Sequence, residues 1–354
     1  MTAPGKKYFT ESLTILYLIL LPLICLPIRL VPDADLRFLL WTIIFCFCFG
    51  LFLFEALRTA GFSKAIGAIF LLPIILSASA LTVFPEKIAA ATEVLSFEKN
   101  LLPSGTHLLG TDYKGRDVLF SLIGGGGNTY FIAIIATLLS SFLGVVIGIL
   151  MTVEQKLFRI IARLLTESFE ILPWVFFLII ATGVFFVWIN ELNYTPPIAF
   201  KVLIIGILIG LTSIPYTARL VQRIVEKNYQ SPYVLTFKAS AVSRSKVLLY
   251  NVFWKKVIPH LIVQISFVFG LIILVESSLE YILSIGFGEY GKAGYLSWGR
   301  ILADARHSAI FGEKLWIIVP PILCIMLSIL GANIIGDSLS KSPSRRPKKL
   351  DFEK

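Results

Sequence analysis

The sequence predicts an all-α fold, a polytopic membrane helix bundle with about eight transmembrane helices. Three observations predict it. Of 354 residues, 56% are hydrophobic and only 15% charged, too few charges to wet the surface of a soluble domain. Eight apolar stretches reach or approach the roughly 20 residues that a helix needs to cross about 30 Å of hydrocarbon. Basic residues also gather on alternate connections, as they do in membrane proteins with a fixed orientation.

The first stretch, 13–30, follows Lys6 and Lys7 and contains Pro22 and Pro27. A basic start before an apolar run is also how a signal peptide begins, but the run leads into Pro27, Arg29 and Pro32 with no small-x-small cleavage site, so a retained helix is expected. The second, 38–54, is short at 17 residues. The others are 65–84, 129–153, 171–189, 198–218, 257–283 and 315–335. Gly144 with Gly148, and Gly206 with Gly210, have the spacing that lets helix backbones approach closely in lipid, within the chain or against another. Cys25, Cys46, Cys48 and Cys324 all fall in apolar runs, where a thiol behaves as a small hydrophobe. Neither a disulfide framework nor a metal site is expected.

Eight spans put both termini on one side. With both in the cytoplasm, the inner segments hold 21 of the 32 basic residues but only 9 of the 22 acidic ones, so the positive-inside rule selects that orientation. The formal net charge of +10 is then topological. Attraction to anionic membrane lipids explains it, the tail SPSRRPKKLDFEK included, and no nucleic acid is called for. Two connections are long, the outer 85–128 and the inner 219–256, and long connections in a compact bundle usually carry function.

GGGG at 124–127 suggests a phosphate loop, but no Lys-Ser or Lys-Thr follows and no strand precedes it; a flexible entry into the fourth span is expected instead. Glu276, in LIILVESSLEYIL, is a carboxylate among apolar residues, costly enough in a membrane to face a cavity or a partner. It is the candidate residue of a translocation path and would be the relay of an ion-coupled carrier; alternatively it lies near the outer helix end with Ser277, Ser278 and Glu280 and reaches water. His260 lies inside and His107 and His307 outside, so only the latter two can meet, with Asp112 or Asp304. An outer-face membrane enzyme using His107, Asp112 and His307 would need them, and nothing else in the sequence asks for one.

The inner loop Arg219–Lys256 has eight basic residues and one acidic, Glu226. Its segment VLTFKASAVSRSKVLLYNVFWKKVIPHL reads as a helix, a break of small residues, and a second amphipathic helix entering the seventh span. Small side chains in the break would let a short helix seat in a partner's groove. This loop resembles the cytoplasmic EAA loop of binding-protein-dependent ABC importer permeases. Lys238, Ala239, Ser240, Ala241, Val242 and Ser243 stand at its centre, and Ile258 with Pro259 at its end. Leu235, Thr236 and Phe237 replace Glu-Ala-Ala, Ala241 replaces a glycine, and about five extra residues precede Pro259.

The outer segment HLLGTDYKGRDVLFSLIGG resembles the dipeptide and oligopeptide permease family more closely, in its C-type subunit. His107, Leu109, Gly110, Thr111, Asp112, Gly115, Arg116, Asp117 and Val118 carry the motif. SWGRILADAR from Ser297 and GANIIGDSLS from Gly331 follow in the family's order. Gly110 and Gly115 permit tight turns, and Arg116 beside Asp112 and Asp117 can form charge-assisted hydrogen bonds that fix a polar loop. Direct contact with substrate and a purely structural role are both open for these residues.

The resemblance covers about 85–340. It implies a six-helix importer permease core in 64–340, preceded by an N-terminal extension, 1–63, with two additional spans, and followed by a basic cytoplasmic tail, 341–354. It implies a permease subunit, not an enzyme, in a bacterial plasma (inner) membrane. The partners implied are a second permease subunit, two ABC ATPase subunits and an extracytoplasmic solute-binding protein. It implies no cofactor on this chain, ATP being bound by the partner subunits. Peptides are the family-level substrate, with nickel or another small solute as the alternative.

Overall fold

The computed structural model describes residues 20–60, 62–93, 99–153, 155–171, 174–191, 197–229, 256–283, 295–309 and 314–340. The expected coupling segment, Lys238 to Ser243, lies outside them, as does the basic tail 341–354.

Among the described residues the chain is a bundle of helices. A 3-10 turn, Leu26–Leu30, leads into α1 (Ala34–Ala60), α2 (Phe62–Val83) and the short α3 (Pro85–Ala91). Then come α4 (Val118–Leu150), α5 (Lys156–Ile171), α6 (Trp174–Glu191), α7 (Ile198–Thr212), α8 (Ile214–Tyr229), α9 (Ile258–Leu283), α10 (Trp298–Ala309) and α11 (Leu315–Ser340). Five of these helices are long and apolar enough to cross a membrane: Ala34–Phe54, Ser63–Val83, Val118–Leu150, Ile258–Ile282 and Leu315–Leu339. α7 and α8 together make a sixth, bent by 40°.

The all-α polytopic bundle therefore stands, with shifted boundaries. The first expected span is described only as a short apolar helix, Leu20–Leu30, and the fifth as the apolar window Phe176–Phe185 of α6. The sixth, expected over 198–218, runs instead to Tyr229 through a break at Ser213. Pro215 explains the break: it lacks an N–H, and its ring meets the carbonyl four residues back. Thr212 and Ser213 turn their hydroxyls back onto the Ile209 carbonyl, at 2.8 and 2.9 Å.

α4 is the central helix. It packs on α2, α7, α8 and α9, and α11 closes the core between α2 and α9. Leu71, Ile74, Ile132, Ala133, Ile205, Ile272 and Ala332 are buried in the shared core. α1 packs on α2 and the 3-10 turn, and turns Phe38, Ile43, Phe47 and Phe54 outward, as a peripheral helix in lipid does. The small-residue pairs close contacts within the chain. A Cβ on Gly144 would lie 2.6 Å from Thr217, and one on Gly210 3.1 Å from Ala136, so both pairs seat the α7–α8 span against α4.

The glycine run 124–127 is a correction. α4 begins at Val118, and all four glycines are buried inside it rather than forming a flexible entry. A Cβ on Gly126 would lie 2.6 Å from the Trp298 ring and 2.7 Å from Ser77, and one on Gly127 2.5 Å from Leu81. The strip costs helix propensity and permits the close seating of α2 and α10 on α4, whose buried contacts hold it helical.

Candidate functional site

The expected motif folds as one compact unit where α4 begins. Gly110 and Gly115 have φ of +71° and +82°, the left-handed region that glycine enters without a Cβ penalty. Asp112 Oδ1 accepts from the backbone N–H groups of Lys114 at 2.8 Å and Arg116 at 2.9 Å, and so folds the turn around itself. Thr111 is fully buried; its Oγ1 accepts from Leu101 N at 2.8 Å, and its backbone bridges Asp117. Asp117 caps α4, its Oδ1 accepting from Phe120 N at 3.0 Å. A cap of this kind satisfies one of the orphaned N–H groups of a helix start.

Arg116 does pair with Asp112, its Nε donating to Oδ2 at 2.7 Å, but its second carboxylate is not Asp117. Arg116 Nη2 donates to Asp304 Oδ2 at 2.6 Å, on α10. Asp117 Oδ2 instead meets His107 Nδ1 at 2.8 Å. The reason is directional: the cap turns the Asp117 carboxylate toward the helix start, away from the guanidinium. His107, which the sequence could have paired with Asp112 or Asp304 or left in loop packing, thus binds Asp117.

Asp304, which the sequence offered only as a partner for the outer histidines, is the hub of the unit. Besides Arg116 it accepts from Lys114 Nζ at 3.0 Å and Tyr113 OH at 3.3 Å, and Arg300 Nε lies 3.4 Å away. Burial would raise the Asp304 carboxyl, but Arg116, Lys114 and Arg300 outweigh it and hold the carboxyl below its ordinary value. Burial with the Asp304 charge pushes the Tyr113 phenol up to about 12, and burial lowers the Lys114 ammonium. The apolar side of the unit, Val118, Ala305 and Ile317 with Leu109 and Trp316, seats it on α10 and α11.

Glu276 and Glu280, one turn apart on α9, form a second polar cluster, and both are fully buried. The alternative reading, in which Glu276 reaches water, therefore fails: α4 and the start of α10 cover it. Thr129 Oγ1 and Ser277 Oγ donate to Glu276 Oε2 at 3.2 and 3.4 Å, while Tyr295 OH donates to Glu280 Oε1 at 2.8 Å. Thr129 Oγ1 lies 3.3 Å from Trp298 N, at the α10 N-terminus, whose partial positive charge favours a neighbouring carboxylate. Thr129 and Tyr295 carry no sequence signal of this role; the glycine run beside Thr129 is the one clue that something packs closely there.

Among the described residues no three or more His, Cys, Asp or Glu are grouped to hold a metal ion. The first cluster ties α10 to the motif unit, and the second links α9 to α4 and to the segment just before α10.

Residues 144–345 match the family of binding-protein-dependent transport system inner membrane components. The chain is 28% identical over 255 residues to the oligopeptide transport system permease protein OppC of Lactococcus lactis subsp. cremoris, covering 72% of this chain and 81% of that one. It is 27% identical over 239 residues to a putative peptide transport system permease protein of Brucella suis, covering 67% and 73%. With the dipeptide transport system permease protein DppC of Alkalihalophilus pseudofirmus the identity is 24% over 237 residues, covering 67% and 71%. A match over more than half the chain, on a bundle whose membrane-length helices are capped by the motif unit, establishes that the chain belongs to the binding-protein-dependent transport system inner membrane components, as the multi-pass permease subunit of an ABC importer.

Proposed function

We propose that this permease imports peptides, as one of two permease subunits in a bacterial plasma membrane, with both termini in the cytoplasm. ATP is bound and hydrolysed by two partner ATPases, and an extracytoplasmic binding protein delivers the solute. The observation that carries the substrate class is that the similar permeases just described transport oligopeptides and dipeptides by name. The positive-inside count supports the orientation, with the motif unit outside. Leu102 and Leu108 stand exposed on that unit, rigidly presented because Gly110 N and Ser104 N both bond the His107 carbonyl, at 2.9 and 2.8 Å. A fixed apolar patch beyond the membrane suits a protein partner.

Movement enters at the other end. The segment around Lys238–Ser243 lies between α8 and α9, so seated in an ATPase it would act on the end of α8 and the start of α9. The chain itself performs no hydrolysis. Ligand shifts the equilibrium between inward- and outward-open states only through contacts that differ between them, here those of the loaded binding protein with the motif unit.

The test is reconstitution in lipid vesicles with the second permease, both ATPases and the binding protein. ATP-dependent uptake of a labelled peptide is expected, lost when the ATPases are withheld. Uptake by this chain alone, abolished by Glu276→Gln, would instead reveal an ion-coupled carrier and overturn the proposal. Uptake of nickel without peptide would overturn the substrate class.

A further inference from the structure

α10 is held at two places by different chemistry. At its N-terminal end Trp298 Nε1 donates to the Leu122 carbonyl at 2.8 Å, and Trp298 N meets Thr129 Oγ1 on α4. Gly299 lies against the backbone of Ser277 on α9, so closely that a Cβ would overlap the Ser277 carbonyl oxygen. Just before the helix, Tyr295 reaches Glu280 on α9. One and a half turns further on, Asp304 gathers Arg116, Lys114 and Tyr113 from the motif unit. The first fixing is a close backbone approach, because only glycine fits at 299. The second is buried and charge-assisted, so its bonds are short and directional.

We propose that α10 is a strut that makes the motif unit and the far end of α9 move as one body, with Asp304 as the positioning residue that couples them. The inference rests on the importer reading above. In that reading, the binding protein touches the motif unit and the ATPases act on the start of α9. A strut between the motif unit and α9 lets each event be felt by the other. A loop free to shift against α9 would dissipate the binding protein's contact locally. Asp304 touches neither solute nor nucleotide and acts through Arg116 and Lys114.

The complete importer in lipid nanodiscs tests this. Asp304→Asn is expected to keep basal hydrolysis by the ATPase subunits within about twofold and to lower the stimulation by loaded binding protein at least about tenfold, with uptake falling in parallel; Asp304→Glu recovers part of both. A purely structural role would instead lower basal and stimulated hydrolysis together, and that result overturns the proposal, as does undiminished stimulation in Asp304→Asn. Spin labels at Leu108 on the motif unit and Ile282 at the far end of α9, both exposed, read the same idea on an otherwise unaltered complex. The distance between them is expected to hold constant between nucleotide-free and ATP-bound states, and a change of several ångströms between these states refutes the strut. Failure of ATP-driven peptide uptake by the unsubstituted complex would sink the importer reading itself, a different outcome from normal uptake with Asp304→Asn indistinguishable from it.

Discussion

Replacing Arg116 with Met keeps most of the side-chain volume and removes the charge that joins Asp112 to Asp304. Removing one partner of a buried ion pair costs about 3–5 kcal/mol, because the remaining charge is left without compensation. Here the remaining carboxylates are not abandoned. Asp112 Oδ1 retains two backbone N–H donors, and Asp304 retains Lys114 and Arg300, whose side chains are 28% and 20% exposed. Solvent screening weakens those two substitutes. The expected cost is therefore about 2–4 kcal/mol, confined to the motif unit and its junction with α10, since the spans are held independently by apolar packing. Local opening of that size accelerates amide exchange about 30- to 700-fold, at 1.4 kcal/mol per factor of ten. Hydrogen exchange of the amides of Asp112, Gly115 and Val118, each bonded within the unit, reads the effect directly. Amides in the middle of α4 serve as the internal control. Exchange that changes by less than about threefold in the motif unit, or equally in α4, would refute the assignment of Arg116 as its central tie.

The pH dependence of the same amides has a definite sign. Asp304 is held below its ordinary value in the folded state, so its contribution is fully present above the unfolded value of about 3.9 and is lost as pH falls through the depressed folded one. Protection is expected to be flat from neutral pH to about pH 4 and to decline below, a decline that Asp304→Asn should abolish. Gly126→Ala, with no room against Trp298 and Ser77, is expected to lose about 1–3 kcal/mol to overpacking, seen as a lower thermal midpoint of the purified permease. Gly183→Ala, where an added Cβ meets nothing within 4 Å among the described residues, should be neutral or slightly stabilising by helix propensity. A bulky charge at Ala241 or Ser243 is expected to leave membrane insertion intact while separating ATP hydrolysis from uptake; unchanged transport together with unchanged ATPase association would remove the coupling role from that loop.

The parts of this fold that were legible in the sequence are those fixed by one strong local constraint. A bilayer demands about 20 apolar residues per crossing, so α2, α9 and α11 stand close to where composition puts them. The turn at Gly110–Asp117 was legible because left-handed backbone needs glycine and a side chain such as Asp112 closes it locally. Asp304 was not, because it meets Arg116 from 188 residues away and only tertiary packing brings them together. The glycine run misled for the converse reason: its propensity argues for flexibility, and the α2 and α10 surfaces that override it are remote in sequence. Glu276 was singled out by its cost in an apolar stretch, yet the Ser277 and Glu280 beside it suggested water. In the fold those same neighbours belong to a buried network closed by Tyr295 and Thr129.

A helix that carries motion between a motor and a distant cap must be stiff along its length and anchored at both ends. α2 carries Pro73 within it, α11 carries Pro320 and Pro321, and the α7–α8 span is broken at Ser213. Each such proline removes an intrahelical hydrogen bond and invites bending. α9 has its proline, Pro259, at the second position, directly after the π turn at 256–257, and none further along. Its 26 residues then run unbroken for about 39 Å at 1.5 Å per residue. Its far end is where Glu276, Ser277 and Glu280 meet α4, α10 and Tyr295, so displacement at Val257 is delivered to the cap and not absorbed on the way. α4 is comparably free of proline and is held by tight glycine contacts with α7, α8 and α10 along much of its length; α9 is seated closely on α11 at Ser266, against Gly336, and on α10 at Ser277, against Gly299. Stiffness along its whole length is what a lever needs, and in the proposed importer α9 is the lever.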